Sequence, residues 1–87
     1  MAYLLKIKPS LDKLFRKIAK RDPVQYEALQ KKIMQILADP HRFKPLTANM
    51  RNKYRVHIYS SFVLVYEVYE NEKTVELWDY DHHDNIY

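Results

Sequence analysis

The chain has 87 residues, 47% of them hydrophobic and 14% aromatic, which suits one small folded domain over 1–87 with a single core and argues against disorder. It contains no Cys and no Gly, so disulfides, thiolate nucleophiles, zinc–thiolate sites and Gly-rich phosphate loops are all excluded. The net charge of +4 hides a segregation: residues 1–55 hold 14 Lys/Arg against 4 Asp/Glu, and residues 56–87 hold one Lys against 7 Asp/Glu. This suits a positive face that attracts a polyanion, or helices that carry Lys and strands that carry Glu with no partner involved.

In chain order, Tyr3–Lys8 alternates, with Leu5 and Ile7 facing one way and Lys6 and Lys8 the other, and Pro9 ends it. This predicts a first strand, at an edge. Ser10 is the expected N-cap of a helix to about Arg21, with Leu11, Leu14, Phe15, Ile18 and Ala19 as its apolar stripe and Lys13, Arg16, Lys17, Lys20 and Arg21 opposite. Asp22-Pro23 then starts a second helix, capped by Asp with Pro in the first turn. Its stripe is Tyr26, Leu29, Ile33, Ile36 and Leu37, and Asp39-Pro40 stops it. With almost nothing between them, the helices are expected to form an antiparallel hairpin.

Residues 41–52 read as a long loop holding His41, Arg42, Lys44 and Arg51, either functional or a simple crossover to the sheet. In the strand Lys53–Tyr59, Tyr54, Val56 and Ile58 share one face and Lys53, Arg55, His57 and Tyr59 the other. The core must take the first set, which leaves the second as a solvent-facing row of cations and aromatics. Ser60-Ser61 is a two-residue hairpin candidate; without Gly, positive-φ turn positions should fall to Asn, Asp or Ser. Phe62–Tyr69 is apolar on both faces, as a central strand would be, and Asn71 suits the turn at 70–73. In the last strand Val75 and Leu77 point inward, and alternation sends Trp78 and Tyr80 to the other face. The order β-α-α-β-β-β predicts an α+β fold: a helix hairpin on one face of a small, mostly antiparallel sheet.

The chemistry-bearing residues are His82, His83 and Tyr87 at the tail, with Lys53, Arg55 and His57 across the sheet. RNA can be cut without metal if a base takes the 2′-hydroxyl proton, cations stabilise the phosphorane and an acid protonates the leaving 5′-oxygen. Histidine suits acid or base work, with an ordinary pKa of ~6.5. Fixed Arg and Lys supply the electrostatic term. Adjacent strand residues point to opposite faces, so only one of His82 and His83 is expected beside Arg55. Asp79, Asp81, His82, His83 and Asp84 are also typical metal-ligand types, but lack a helical His spacing or a Cys partner. Asp81 and Asp84 could instead hold the imidazole tautomers. Trp78 reads as packing, Tyr87 as a working residue or a frayed end. The start of the chain does not fit a secretory signal, and no apolar run approaches the ~20 residues of a membrane helix.

Together these features resemble the RelE/ParE superfamily of toxin–antitoxin toxins, on the RelE (mRNA endonuclease) side. The resemblance rests on the first strand, the helix hairpin, Lys44-Pro45-Leu46, Lys53-Tyr54-Arg55-Val56, Leu64-Val65-Tyr66-Glu67-Val68 and the ending His82-His83-Asp84-Asn85-Ile86-Tyr87. It implies a microbial-RNase-like fold, a cytoplasmic toxin that enters the ribosomal A site and cuts mRNA there with no cofactor or metal, and a cognate antitoxin. It implies His83 or His82 as acid or base, with Arg55 and Tyr87 in the catalytic set and Lys53, Arg51, Lys44 and His57 on RNA phosphates. Many members carry an Arg two positions before the Leu/Val-Tyr pair; Val63 stands there in this chain, so the acid–base set is expected to differ or activity to be reduced. A ParE-like gyrase inhibitor and a non-catalytic RNA-binding relative are the competing readings.

Overall fold

The structure, a computed structural model, describes residues 2–46, 52–59 and 61–86. Arg51 and Tyr87, and the Ser60 half of the expected hairpin turn, lie outside the described residues.

The elements run β1 (Leu4–Ile7), α1 (Pro9–Arg21), α2 (Pro23–Ala38), β2 (Lys44–Pro45), β3 (Lys53–Ile58), β4 (Phe62–Tyr69), β5 (Thr74–His82) and α3 (His83–Ile86). The five strands form one sheet in the order β1-β5-β4-β3-β2. β1 lies parallel to β5, and the other pairings are antiparallel. The α+β arrangement is the one the hydrophobic periods predict.

The helix hairpin forms because each helix presents one apolar stripe. Leu11 and Phe15 of α1 and Leu29, Ile33 and Ile36 of α2 are buried against Val56, Ile58, Leu64, Tyr66, Val75 and Leu77 of the sheet. Leu29 and Ile36 are both fully shielded from solvent. Burial of such a side chain stabilises by roughly 1.5–3 kcal/mol. Asp22 accepts from Gln25 N at 3.1 Å, and Pro23 follows it in the first turn of α2. This is the expected cap. The α1 cap differs: Lys8 holds the N-cap position without a side-chain bond, and Ser10 lies inside the first turn, because Pro9 already has a helix-compatible φ.

Four further corrections come from the backbone. Residues 41–52 are not all loop: Lys44 pairs with Arg55 and Pro45 with Tyr54 in a two-residue edge strand. The β3–β4 turn is three residues long, since Ile58 pairs with Phe62. The positive-φ positions are Tyr59 (54°) and Lys73 (49°), not Asn, Asp or Ser. Finally, Val65 pairs with Asp79 but Tyr66 pairs with Leu77, so β5 carries one extra residue there. This bulge turns Tyr80 back into the core, against Phe15 and Phe62.

At the sheet end where β1 starts, one carboxylate ties four segments together. Glu70 accepts from the Tyr3 hydroxyl at 3.0 and 3.1 Å and from Lys73 Nζ at 3.0 Å, and it also bonds His41 Nε2. His41 Nδ1 in turn meets the Tyr54 hydroxyl at 2.9 Å. The Lys73 and His41 hydrogen bonds, followed by Tyr3, hold Glu70 down to about 2, from an ordinary 4.5. The unfolded chain therefore binds more protons between those values, and the stability Glu70 contributes is full above pH ~4.5 and lost as pH falls towards 2. Glu70→Gln should lower the melting temperature at pH 7, with the gap to the parent closing between pH 5 and pH 2. Thermal melts followed by circular dichroism across that range check it; parallel curves would remove Glu70 from the account.

Candidate functional site

β4 is buried on both faces, so the sheet has a helix-covered side and an outer side. Alternation along β3 sends Val56 and Ile58 to the helices and Lys53, Arg55 and His57 outward. Lys44 stands opposite Arg55 in the pairing of β2 with β3. Arg55, His57, Lys44 and Arg42 line one open pocket of about 320 Å³, with Phe43 as an apolar wall. Three guanidinium or ammonium groups and an imidazole thus converge at the β2–β3 edge. Arg42 is absent from the sequence-derived set, although the loop that holds it stood out for its cations.

The tail supplies one histidine to this side. The His83 ring lies 5.9 Å from the His57 ring, inclined by 27°. The His83 N–H donates to Ser61 O at 2.7 Å, which anchors the start of α3 to the β3–β4 turn. His82 goes the other way. It pairs with Phe62, on the core side of β4, and its ring meets the Phe62 ring edge-on at 5.8 Å. Asp84 stands between the two, 3.6 Å from His82 Nδ1 and 3.4 Å from His83 Nδ1. Asp81 does not hold an imidazole. It accepts from the His82 N–H (2.7 Å) and from Asn85 Nδ2 (3.1 Å), and those bonds lower its pKa, the Asn85 bond first.

Lys53 is engaged elsewhere. Its ammonium sits 3.6 Å from the centroid of Trp78 and 4.0 Å from Glu67. Lys8 lies 3.3 Å from the same centroid. Two ammonium groups that close to one ring fit only on opposite faces; Lys8 comes from the end of β1, on one side of β5, and Lys53 from β3, on the other. Each contact contributes about 0.5–1 kcal/mol when exposed and about 2 when desolvated. The clamp fixes the indole while its Nε1 is buried with no hydrogen-bond partner among the described residues. An orphan donor of this kind costs about 1–3 kcal/mol. Nearby, Tyr69 donates to Glu76 at 3.0 Å. Desolvation and then the Glu76 and Glu67 carboxylates push its phenol up to about 12, so it stays a neutral donor. Among the described residues no three of His, Asp and Glu converge as a metal site would require.

α3 lies against β4 and β5 on the outer side, where Asn85 and Ile86 share a second pocket with Val65. Val63, between His57 and Asp81 in the pairing, is completely buried. The position where the family resemblance leads one to expect Arg is therefore a buried apolar residue between His57 and Asp81.

Comparison with known proteins agrees with this fold. The sequence model described as "ParE toxin of type II toxin-antitoxin system, parDE" matches residues 4–87. The Methanocaldococcus jannaschii protein that carries the toxin name RelE4 is 49% identical over 85 residues, covering 98% of this chain and 90% of its own. The isolated E. coli RelE toxin superposes with a TM-score of 0.76 at 27% identity, over 93% of this chain and 84% of that one. The toxin of the intact E. coli RelBE toxin–antitoxin complex gives 0.75 at 28% identity, over 91% and 94%.

The burial of Val63 between His57 and Asp81 has a measurable consequence. Val63→Arg must either bury a guanidinium or lift the tail, and should destabilise by at least about 1–3 kcal/mol. Urea unfolding measures this, and proton NMR should show the His57 and His83 rings moved apart. Unchanged stability with the two rings still adjacent would mean that an apolar residue at this position is not needed to hold His57 and His83 together.

Proposed function

This chain belongs to the ParE/RelE family of toxins of type II toxin–antitoxin systems, and on that footing we propose that it is a ribosome-dependent endoribonuclease that cuts messenger RNA without a metal ion and so stops translation. The observation that carries this reading is the approach of the His83 ring to His57, 5.9 Å away, on the side of the sheet that holds Arg55. One imidazole takes the proton from the ribose 2′-hydroxyl as that oxygen attacks the phosphorus. The other gives a proton to the departing 5′-oxygen. The products are a 2′,3′-cyclic phosphate and a free 5′-hydroxyl. Arg55, with Lys44 and Arg42 lining the same pocket, stabilises the charge that builds on the phosphorane oxygens.

Arg51 and Tyr87 join the set by sequence position, the first as a phosphate ligand, the second as a stacking or proton-donating phenol. Lys53 acts less directly, because Trp78 and Glu67 hold its ammonium. His82 stands outside the reacting group. The protein works in the cytoplasm, on messages in the ribosomal A site, and is held inactive by a cognate antitoxin; the E. coli toxin in the RelBE complex supports that last point by similarity. No helix among the described residues is long and apolar enough to cross a membrane.

The family model is described by the name ParE, which keeps open the ParE-like reading, inhibition of DNA gyrase, a function that needs no acid or base. The two separate cleanly. Induced expression should arrest growth and leave cut messages in a translating extract. His83→Ala and Arg55→Ala should each lower cleavage about 10²–10⁴-fold with the fold intact by circular dichroism, while His82→Ala should change it less than tenfold. Intact messages together with blocked supercoiling by the purified protein would replace this function with the gyrase one.

A further inference from the structure

The second pocket on the outer face lies under α3 and is not used by the reaction just described. It has a volume of about 200 Å³. Val65 forms its floor, with Leu46 and Ile86 as apolar flanks, and Lys53, Asp79 and Asn85 supply its polar groups. We propose that this pocket holds a nucleobase next to the scissile phosphate, and that it selects a base presenting an exocyclic amine. The proposal rests on the endoribonuclease reading and names the base preference of that site.

A nucleobase asks for apolar contact on its faces and a few placed polar groups at its edge, which is the division seen here. The position is right. Lys53 is two residues from Arg55 on the same face of β3, a step of roughly 7 Å. Asn85 is two residues from His83 in α3. A strand whose phosphate lies at Arg55 and His83 therefore has a neighbouring base within reach. Trp78 forms a wall rather than a stacking platform, because Lys8 and Lys53 occupy its two faces. That clamp leaves the wall fixed before the base arrives, so little ordering is lost on binding.

The edge-reading groups are acceptors. Asp79 uses Oδ1 to accept the Tyr80 N–H at 2.9 Å, and its second oxygen accepts from no donor among the described residues. Asn85 spends one amide N–H on Asp81, and its carbonyl oxygen accepts from no donor among the described residues. Two acceptors favour the amines of cytosine, adenine or guanine. They disfavour uracil, whose edge carries one N–H between two carbonyls. The carboxylate of Asp79 also argues against a second phosphate in this pocket.

Trp78 is the single tryptophan of the chain, so its fluorescence reports the pocket directly. The isolated full-length protein should be titrated with CMP, AMP, GMP, UMP and inorganic phosphate. The best amine-bearing nucleotide should bind about tenfold more tightly than UMP. Asp79→Asn, which replaces one acceptor by a donor, should narrow that ratio to less than about twofold without a change in melting temperature. Inorganic phosphate should leave the emission unchanged. Equal responses to all four nucleotides, no response to any, or a response reproduced by phosphate alone would overturn the proposal. Mapped message ends then separate the two claims. Cleavage without nucleotide discrimination would leave the function and remove the pocket; discrimination without cleavage would do the reverse.

Discussion

Successive side chains of β3 leave the sheet in opposite directions, and the rest of this protein depends on that alternation. The core needs Val56 and Ile58, which are buried to 5% and 1% exposure against α2 and β4. Arg55 and His57 are then sent to the outer side whatever they do there. Six paired positions between β3 and β4 hold this register. A slip of one residue would bury the cations and expose the valine and isoleucine, so the hydrophobic core itself enforces the placement of the cationic row. β4 strengthens the effect because it is apolar on both sides, and it leaves the row on a strand rather than on a loop.

The single break in alternation decides which tail histidine joins that row. With regular pairing, Trp78, Tyr80 and His82 would all point outward, and His83 would point to the helices. The extra residue in β5 opposite Val65 and Tyr66 shifts the parity after Trp78. Tyr80 then enters the core and donates to Gln25 at 2.6 Å, while burial pushes its phenol pKa up. His82 follows it to the Phe62 side, and His83 emerges beside His57. One inserted residue therefore sets two placements at once: an aromatic in the core and an imidazole on the outer face.

Much of this is legible in the sequence, and the limits have physical causes. The Leu11–Ile18 and Leu29–Ile36 stripes, the Asp22-Pro23 junction and the Asp39-Pro40 stop all depend on near neighbours, and they survive folding as read. The face assignment in β3 is legible for the same reason. The bulge is not, since no Gly or Pro marks it and alternation simply continues past Trp78 in the sequence. β2 escapes because two residues carry no period; only the partner strand makes Lys44-Pro45 a strand. Tyr59 and Lys73 take positive φ because the register on either side demands it, against the local preference for Asn or Asp. The clamp on Trp78 joins residues 8, 53 and 78, which no spacing rule connects.

The outer face also resolves the uneven charge of the chain. The excess of cations in residues 1–55 reaches the sheet through β2 and β3, as Lys44, Lys53 and Arg55, with Arg42 beside them. The excess of carboxylates in residues 56–87 comes through β4 and β5, as Glu67, Glu76, Asp79 and Asp81. The field across the sheet therefore has a direction. A polyanion meets repulsion over β5 and attraction over β2–β3, which fixes where its phosphates can lie before any specific contact forms. On the proposed function, an RNA strand bound that way has its backbone over Arg55 and its bases turned towards β5. There the groups that repel a phosphate become acceptors for a base edge. For the RNA substrate proposed above, the same carboxylates give the surface an orientation, with His83 on the border between the two zones.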